Sequence, residues 1–173
     1  EVVHGIPSAQ RVLREWQIIS VDVGAYFEGF HADAARTFAV GTIDAAKAKL
    51  IEVTEASFWA GFAKAVVGNR MGDISAAVQA TAEAHGYGVV RELTGHGIGR
   101  KLHEDPDLPN YGHAGRGMRL EPGLVLAMEP MVNLGTRRPS GEEANPASLA
   151  VLPCVCRLLP RGVRTFLRPC AMA

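Results

Sequence analysis

Two aspartates lie in neighbouring apolar segments. The segments 17–27 and 30–40 are rich in Val, Ile, Phe, Tyr and Thr, which is typical of β-strands; Asp22 lies in the first and Asp33 in the second. An isolated carboxylate is costly to bury in such a strand. Two neighbouring carboxylates repel each other unless one is protonated or a cation lies between them. The pair therefore indicates either a cation site or an aspartate neutralised by a base such as Arg36.

Two histidines add imidazole groups to the candidate set. His96 lies between Gly95 and Gly97, where the backbone can turn tightly and the ring can enter a cleft. His103 follows seven residues later, which is not the four-residue helical spacing of many zinc sites. Taken alone, each is more typical of a hydrogen-bonded loop histidine, and His4 is a weaker candidate still. The histidines become informative only together with the carboxylates.

Glu129 is the remaining chemical candidate. It ends the apolar run 124–128, which predicts a buried strand, and it precedes Pro130. In isolation such a residue is more typical of a capping or salt-bridged glutamate. With Asp22, Asp33 and His96 it forms a carboxylate-rich set with one imidazole, which suits Mn, Fe(II) or Co better than a structural zinc site. Two such cations about 3.5–4 Å apart can lower the pKa of a water molecule and clamp a carbonyl group.

A β-hairpin must bring the two aspartates together, because only Glu28-Gly29 separates their strands. If the hairpin closes around Phe27-Glu28, the aspartates are directly opposed. If Glu28-Gly29 is a two-residue turn, Asp22 pairs with Ala35 and Asp33 is its diagonal neighbour on the same face. Both registers place the carboxylates close together.

The remaining elements are predicted from periodicity and capping residues. We expect a helix over 44–66 with Asp44 as its N-cap, and a second helix that is capped by Asp73 and ends at Gly86. The prolines and glycines that follow His103 predict a long loop up to the strand at 124–128.

Composition bounds the class of protein. The chain has 173 residues, is 47% hydrophobic and carries 18 basic against 18 acidic residues, which excludes disorder. No apolar run approaches the roughly 20 residues of a bilayer span, and the balanced charge provides no electrostatic footprint for DNA or anionic lipid. Three cysteines are too few for a disulfide scaffold. We expect a cytoplasmic protein with no DNA or membrane partner.

The segment 139–173 differs from the rest of the chain. It holds all three cysteines, five of the ten prolines, and four arginines against only Glu142 and Glu143. Its prolines recur about every seven residues, which leaves no room for a helix or a central strand of usual length. We therefore expect two parts, residues 1–138 and an irregular Pro/Arg/Cys-rich tail of unassigned origin over 139–173.

A series of spaced motifs runs in order from residue 1 to about 138. The motifs are His4-Gly5-Ile6-Pro7, Asp22-Val23-Gly24, 29–38, Thr94-Gly95-His96-Gly97-Ile98-Gly99, His103-Glu104, Pro109-Asn110-Tyr111-Gly112 and Ala127-Met128-Glu129-Pro130. Together they resemble the type 1 methionine aminopeptidases. The resemblance implies a pita-bread α/β (α+β) fold, incomplete here, with an antiparallel sheet and helices on its outer face. It also implies removal of the initiator methionine from nascent polypeptides by a monomer, with the ribosome as a further candidate partner.

The same resemblance implies roles for individual residues. Two divalent ions (Co, Mn, Fe(II) or Zn) would be held by Asp22, Asp33, His96 and Glu129, with Asp33 bridging them. Glu129 would also shuttle the proton of the attacking water. Two histidines, His4 and His103, would contact the substrate and stabilise the tetrahedral intermediate. Leu102 occupies a position that lines the methionine pocket in relatives.

Some family features are missing from this sequence. Relatives have a further glutamate on a late strand that bridges both metals, whereas Pro160 stands at that point and no Asp or Glu follows Glu143. The elements that precede His-Gly-Ile-Pro in relatives are also absent, so we expect a chain truncated at its N-terminus with a weak second metal site. Three alternatives remain: a non-catalytic pita-bread binding module, an inactive fragment, and an enzyme for X-Pro peptides.

Overall fold

The computed structural model describes residues 8–134, 149–151 and 154–158. The described chain forms nine strands and two helices. In chain order these are β1 (Ile18–Phe27), β2 (Phe30–Ala39), α1 (Ala45–Phe62), α2 (Met71–Glu83), β3 (Gly88–Val89), β4 (Thr94–Gly97), β5 (Glu104–Pro109), β6 (Val125–Met128), β7 (Met131–Asn133), β8 (Leu149–Val151) and β9 (Cys154–Arg157).

The strands form two antiparallel sheets. The larger has six strands in the order β1-β2-β9-β6-β4-β5, and the smaller has the order β3-β7-β8. All described strand pairs are antiparallel. The chain passes from the larger sheet to the smaller between β6 and β7, across Glu129-Pro130.

The β1-β2 hairpin adopts the second of the two predicted registers. Phe27 pairs with Phe30, and Asp22 pairs with Ala35. Glu28 and Gly29 have φ angles of +48° and +86°, as a type I′ turn requires at both central positions. The aspartates are therefore diagonal neighbours on one face of the hairpin.

The two helices agree with the prediction in place but differ at their ends. Asp44 caps α1 as expected, since its Oδ1 accepts the backbone N–H of Lys47 at 2.8 Å. α1 ends at Phe62 rather than at residue 66, because the chain turns there. Asp73 lies in the first turn of α2 instead of at its N-cap. It accepts the backbone N–H groups of Arg70 (2.8 Å) and Gly115 (2.7 Å), so it joins the helix to a distant loop.

The helices pack against the sheets through two apolar clusters. The larger cluster joins both helices to the six-stranded sheet: Phe58, Met71, Ile74, Leu108, Leu120, Leu126, Met128 and Leu158. The smaller joins α1 and α2 to β1, β3 and β7: Ile18, Leu50, Ala82, Val89 and Val132. Burial of these side chains is the main stabilising contribution to the fold.

Two predictions about irregular chain are wrong. Part of the expected loop after His103 is the strand β5, which tolerates Pro106 and Pro109 because it lies at the edge of the sheet. The tail contributes β8 and β9, and β9 lies inside the six-stranded sheet between β2 and β6. Strands of three and four residues are short enough to fit between prolines that exclude longer elements. The division of the chain at residue 138 remains a prediction.

The described residues contain no helix that is both long enough and apolar enough to cross a membrane.

Candidate metal centre

Strand register places three predicted ligands, Asp33, His96 and Glu129, on one face of the six-stranded sheet. His96 pairs with Ala127, and Glu129 lies two residues beyond Ala127. The side chains of His96 and Glu129 are therefore on the same face of the sheet. Leu126 and Met128 belong to the opposite face, which packs in the larger cluster. Ala34 on β2 and Met128 on β6 both pair with Cys154 on β9, so these two residues lie on one face. Asp33 precedes Ala34 and therefore lies on the other face, together with His96. The site thus lies opposite the apolar core.

The ligand atoms of these residues converge. Nε2 of His96 lies 3.0 Å from Oε1 of Glu129 and 3.5 Å from Oδ2 of Asp33. The three ligand atoms all lie within 4.8 Å of one another. Their side chains are only 6%, 16% and 11% exposed for His96, Glu129 and Asp33 respectively.

The hydrogen bond on the far side of the His96 ring indicates its tautomer. Nδ1 lies 2.7 Å from the backbone carbonyl oxygen of Gly97, and a carbonyl can only accept. Nδ1 therefore carries a ring proton, and in the neutral form of the ring the lone pair of Nε2 points toward the two carboxylates. This is the orientation that a ring hydrogen bond imposes on a metal-binding histidine.

The electrostatics of the site are unfavourable when the ligand atoms of Asp33, His96 and Glu129 lie together without a cation. Burial and, to a smaller extent, the charges of Asp33 and Asp22 raise the pKa of Glu129 to about 8. Within the part of the chain that the structure describes, Nε2 of His96 and Oε1 of Glu129 are buried and have no hydrogen-bond partner. The Nε2 lone pair and the carboxylates of Asp33 and Glu129 point to one position, where a cation would interact with all three. The residues present therefore fit a divalent metal ion.

The other predicted site residues lie at different distances from this cluster. The His103 ring is exposed and stacks at a tilt against His96, with ring centroids 4.1 Å apart. Leu102 lies over Gly24, the pairing partner of Asp33: a Cβ at Gly24 would be 3.8 Å from its Cδ1. Asp22 is exposed and does not belong to the three-residue cluster, although its charge contributes to the raised pKa of Glu129. His4 lies outside the described residues.

The glycines on either side of His96 are required by close backbone approaches. A Cβ at Gly95 would lie 2.3 Å from the carbonyl oxygen of Ala127 on β6. A Cβ at Gly97 would lie 2.3 Å from the carbonyl oxygen of Asp105 on β5. The register between β4 and β5 shifts between His96 and Gly97, and such irregularities re-aim side chains near functional sites. His96 therefore owes its direction to two positions that only glycine fits.

We expect Gly97→Ala to destabilise the chain by roughly 1–3 kcal/mol, because the new methyl group meets backbone atoms that cannot rotate away. Gly24→Ala is the matched control, since its methyl group would meet only Leu102 at an ordinary 3.8 Å. Urea unfolding of both variants measures the difference. Equal stability of the two variants would show that β5 yields at the bulge without cost.

Asn110 is a residue near the site to which sequence reasoning gave no role. It is buried, and its Nδ2 donates to the backbone carbonyl of Glu129 at 2.6 Å. The only sequence signal was its place in the motif Pro109-Asn110-Tyr111-Gly112.

An antiparallel sheet that carries a buried carboxylate–imidazole centre opposite its helices defines the class of this protein, that of the pita-bread metallopeptidases. Residues 1–164 match the model of metallopeptidase family M24. The chain belongs to that family.

Individual relatives agree with this assignment. The chain is 60% identical over 136 residues to a methionine aminopeptidase of Clostridium acetobutylicum, covering 79% of this chain and 54% of that protein. It superimposes on the crystal structure of a methionine aminopeptidase from Thermotoga maritima with a TM-score of 0.86 and 39% identity, covering 92% of this chain and 67% of that one. These likenesses confirm the resemblance and the pita-bread fold.

A more distant structure shows the breadth of the fold. A prolidase from Thermococcus sibiricus superimposes with a TM-score of 0.73 at 24% identity, covering 90% of this chain and 39% of that one, which is a likeness of fold alone. The chain spans about half the length of the curated relatives that it matches.

Proposed function

We propose that this chain is a metal-dependent aminopeptidase that removes the initiator methionine from nascent polypeptides. The convergence of His96 Nε2 with the Asp33 and Glu129 carboxylates is the observation that carries the proposal. The 60% identity to a methionine aminopeptidase favours methionine over X-Pro substrates, and the prolidase likeness adds only the fold.

In this proposal Asp33, His96 and Glu129 hold a divalent ion, and Asp22, the neighbour of Asp33 on the hairpin, contributes to a second site. When bound, such an ion polarises the scissile carbonyl and lowers the pKa of the attacking water. The metal would be Co, Mn, Fe(II) or Zn. We expect the second site to be weak, because Pro160 stands where relatives carry the late bridging carboxylate.

The protein's own groups then position the substrate and move protons. Glu129 would take the proton of the attacking water, since its carboxylate borders the point where the ligand atoms meet, and would return it to the leaving amine nitrogen as the C–N bond breaks. The exposed His103 ring beside His96 donates to the oxygen of the developing tetrahedral intermediate. Leu102, above Gly24, packs against the methionine side chain. His4 is proposed as a second substrate contact from its motif alone.

The setting proposed for this activity is a cytoplasmic monomer acting on new chains, with the ribosome as a candidate partner. The proposal treats 1–138 as part of the catalytic domain and 139–173 as a tail of unassigned origin that contributes β8 and β9 to the two sheets.

The test is a titration of the full, metal-free chain with Mn(II) or Co(II), followed by assay of methionine release from a Met-Gly-type peptide and of hydrolysis of an X-Pro dipeptide. We expect saturable metal binding, and methionine release that EDTA abolishes. A chain that unfolds cooperatively but binds no divalent ion is a binding module, and one without a cooperative transition is an inactive fragment. Turnover equal to that of the Clostridium acetobutylicum relative would contradict the weak second site.

A further inference from the structure

Asn110 links two strands that are not neighbours in the sheet. It follows β5 and is 3% exposed, while Glu129 follows β6, and β4 lies between these strands. Its Nδ2 donates to the backbone carbonyl of Glu129 at 2.6 Å. A side chain thus connects the two strand ends across the strand that carries His96.

Among the residues that the structure describes, the sheet offers the Glu129 carbonyl no ladder partner. The β6 ladder ends at Met128, Pro130 has no N–H, and β7 begins at Met131 in the other sheet. Leaving a carbonyl at a partly buried site without a donor is unfavourable, because the group loses its hydrogen bonds to water. Asn110 supplies that donor at the residue whose side chain faces His96.

The segment that carries Asn110 is itself anchored by the two residues that follow it. The guanidinium of Arg91 lies 4.6 Å from the centroid of the Tyr111 ring. The backbone N–H of Gly112 donates to Oε1 of Gln79 on α2 at 3.0 Å. Asn110 is therefore held in place by contacts that do not involve Glu129, so it can restrain the Glu129 main chain rather than follow it.

We propose that Asn110 is a positioning residue that holds the Glu129 main chain so that the carboxylate meets His96 and the metal ion. This inference rests on the proposed function, because it takes Glu129 as a metal ligand. It assigns Asn110 no contact with substrate or metal. Its effect is exerted through the geometry of one ligand.

The experiment compares Asn110→Asp and Asn110→Leu with the unmodified chain. Both replacements keep approximately the shape of asparagine but remove the amide donor. The matched control is Thr54→Val, which removes a buried hydrogen bond, from Thr54 Oγ1 to the carbonyl of Leu50, within α1. Each full chain is titrated with Co(II), and the affinity, the visible absorption of the bound Co(II) and the metal-free thermal midpoint are recorded.

We expect both Asn110 variants to bind Co(II) roughly 10- to 100-fold more weakly, with an altered visible spectrum, because loss of an outer-shell partner misplaces a ligand. Thr54→Val should lower the thermal midpoint and leave affinity and spectrum unchanged. Unchanged Co(II) affinity and spectrum in a folded Asn110 variant would overturn the inference, as would an equal loss of affinity in Thr54→Val. If Asn110→Leu does not fold, Asn110→Asp decides. Absence of Co(II) binding by the unmodified chain would instead overturn the proposed function, and the inference with it.

Discussion

Replacing Glu129 with glutamine is expected to lower metal-dependent methionine release by roughly 10²- to 10⁴-fold, the contribution typical of a positioned general base. The amide keeps the shape of the side chain but cannot accept a proton from water. It also removes one of the two carboxylates that lie nearest to His96 Nε2. The measurement is release of methionine from a Met-Gly-type peptide with saturating Mn(II) or Co(II).

Glu121→Gln is the control for this variant, because it makes the same chemical change at an exposed position before β6. We expect it to leave methionine release unchanged. Activity of Glu129→Gln within a few-fold of the unmodified chain, at the same metal occupancy, would remove Glu129 from the mechanism.

Glu129 is also expected to make the stability of the metal-free chain depend on pH. Its pKa is about 8 in the folded protein against an ordinary 4.5, so the folded state keeps a proton that the unfolded chain releases between these values. The free energy of unfolding therefore falls as the pH rises from about 4.5 to about 8. Each pKa unit corresponds to about 1.4 kcal/mol, so the loss is on the order of a few kcal/mol.

Urea unfolding in EDTA at pH 5 and pH 8 measures this loss. Other groups titrate in the same window, so the informative quantity is the difference between the unmodified chain and Glu129→Gln. We expect the variant to lose less stability between the two pH values and to be the more stable protein at pH 8, although it is the less active one. An equal loss in both chains would show that Glu129 is ionised in the metal-free protein.

The elements that depend on neighbouring residues could be predicted from the sequence. Asp44 caps α1 because its carboxylate reaches the N–H of Lys47, three residues away. The turn at Glu28-Gly29 was one of two predicted closures, and both brought Asp22 close to Asp33. Such contacts are decided by local geometry, so residue types and spacing are enough to propose them.

The errors arose where distant parts of the chain meet. β9 lies between β2 and β6 although it comes from a proline-rich segment. A four-residue strand is short enough to fit between prolines, and its place in the sheet depends on β2 and β6, which lie far away in the sequence. Asp73 was expected to be the N-cap of α2, but it lies in the first turn and accepts the backbone N–H of Gly115, a contact that no local pattern indicates. β5 contains prolines that are compatible with a strand only at a sheet edge, and the edge is a property of the whole sheet.

The sequence by itself determined the chemical groups of the candidate site: two aspartates, three histidines and a glutamate in spaced motifs that resemble those of methionine aminopeptidases. Only the tertiary structure decided that Asp33, His96 and Glu129 share one face and converge, and that Asp22 lies outside that cluster. Only the tertiary structure showed that Asn110 reaches the carbonyl of Glu129. The physical reason is that residue type sets which bonds a side chain can form, whereas strand order and register set which partners come within bonding distance.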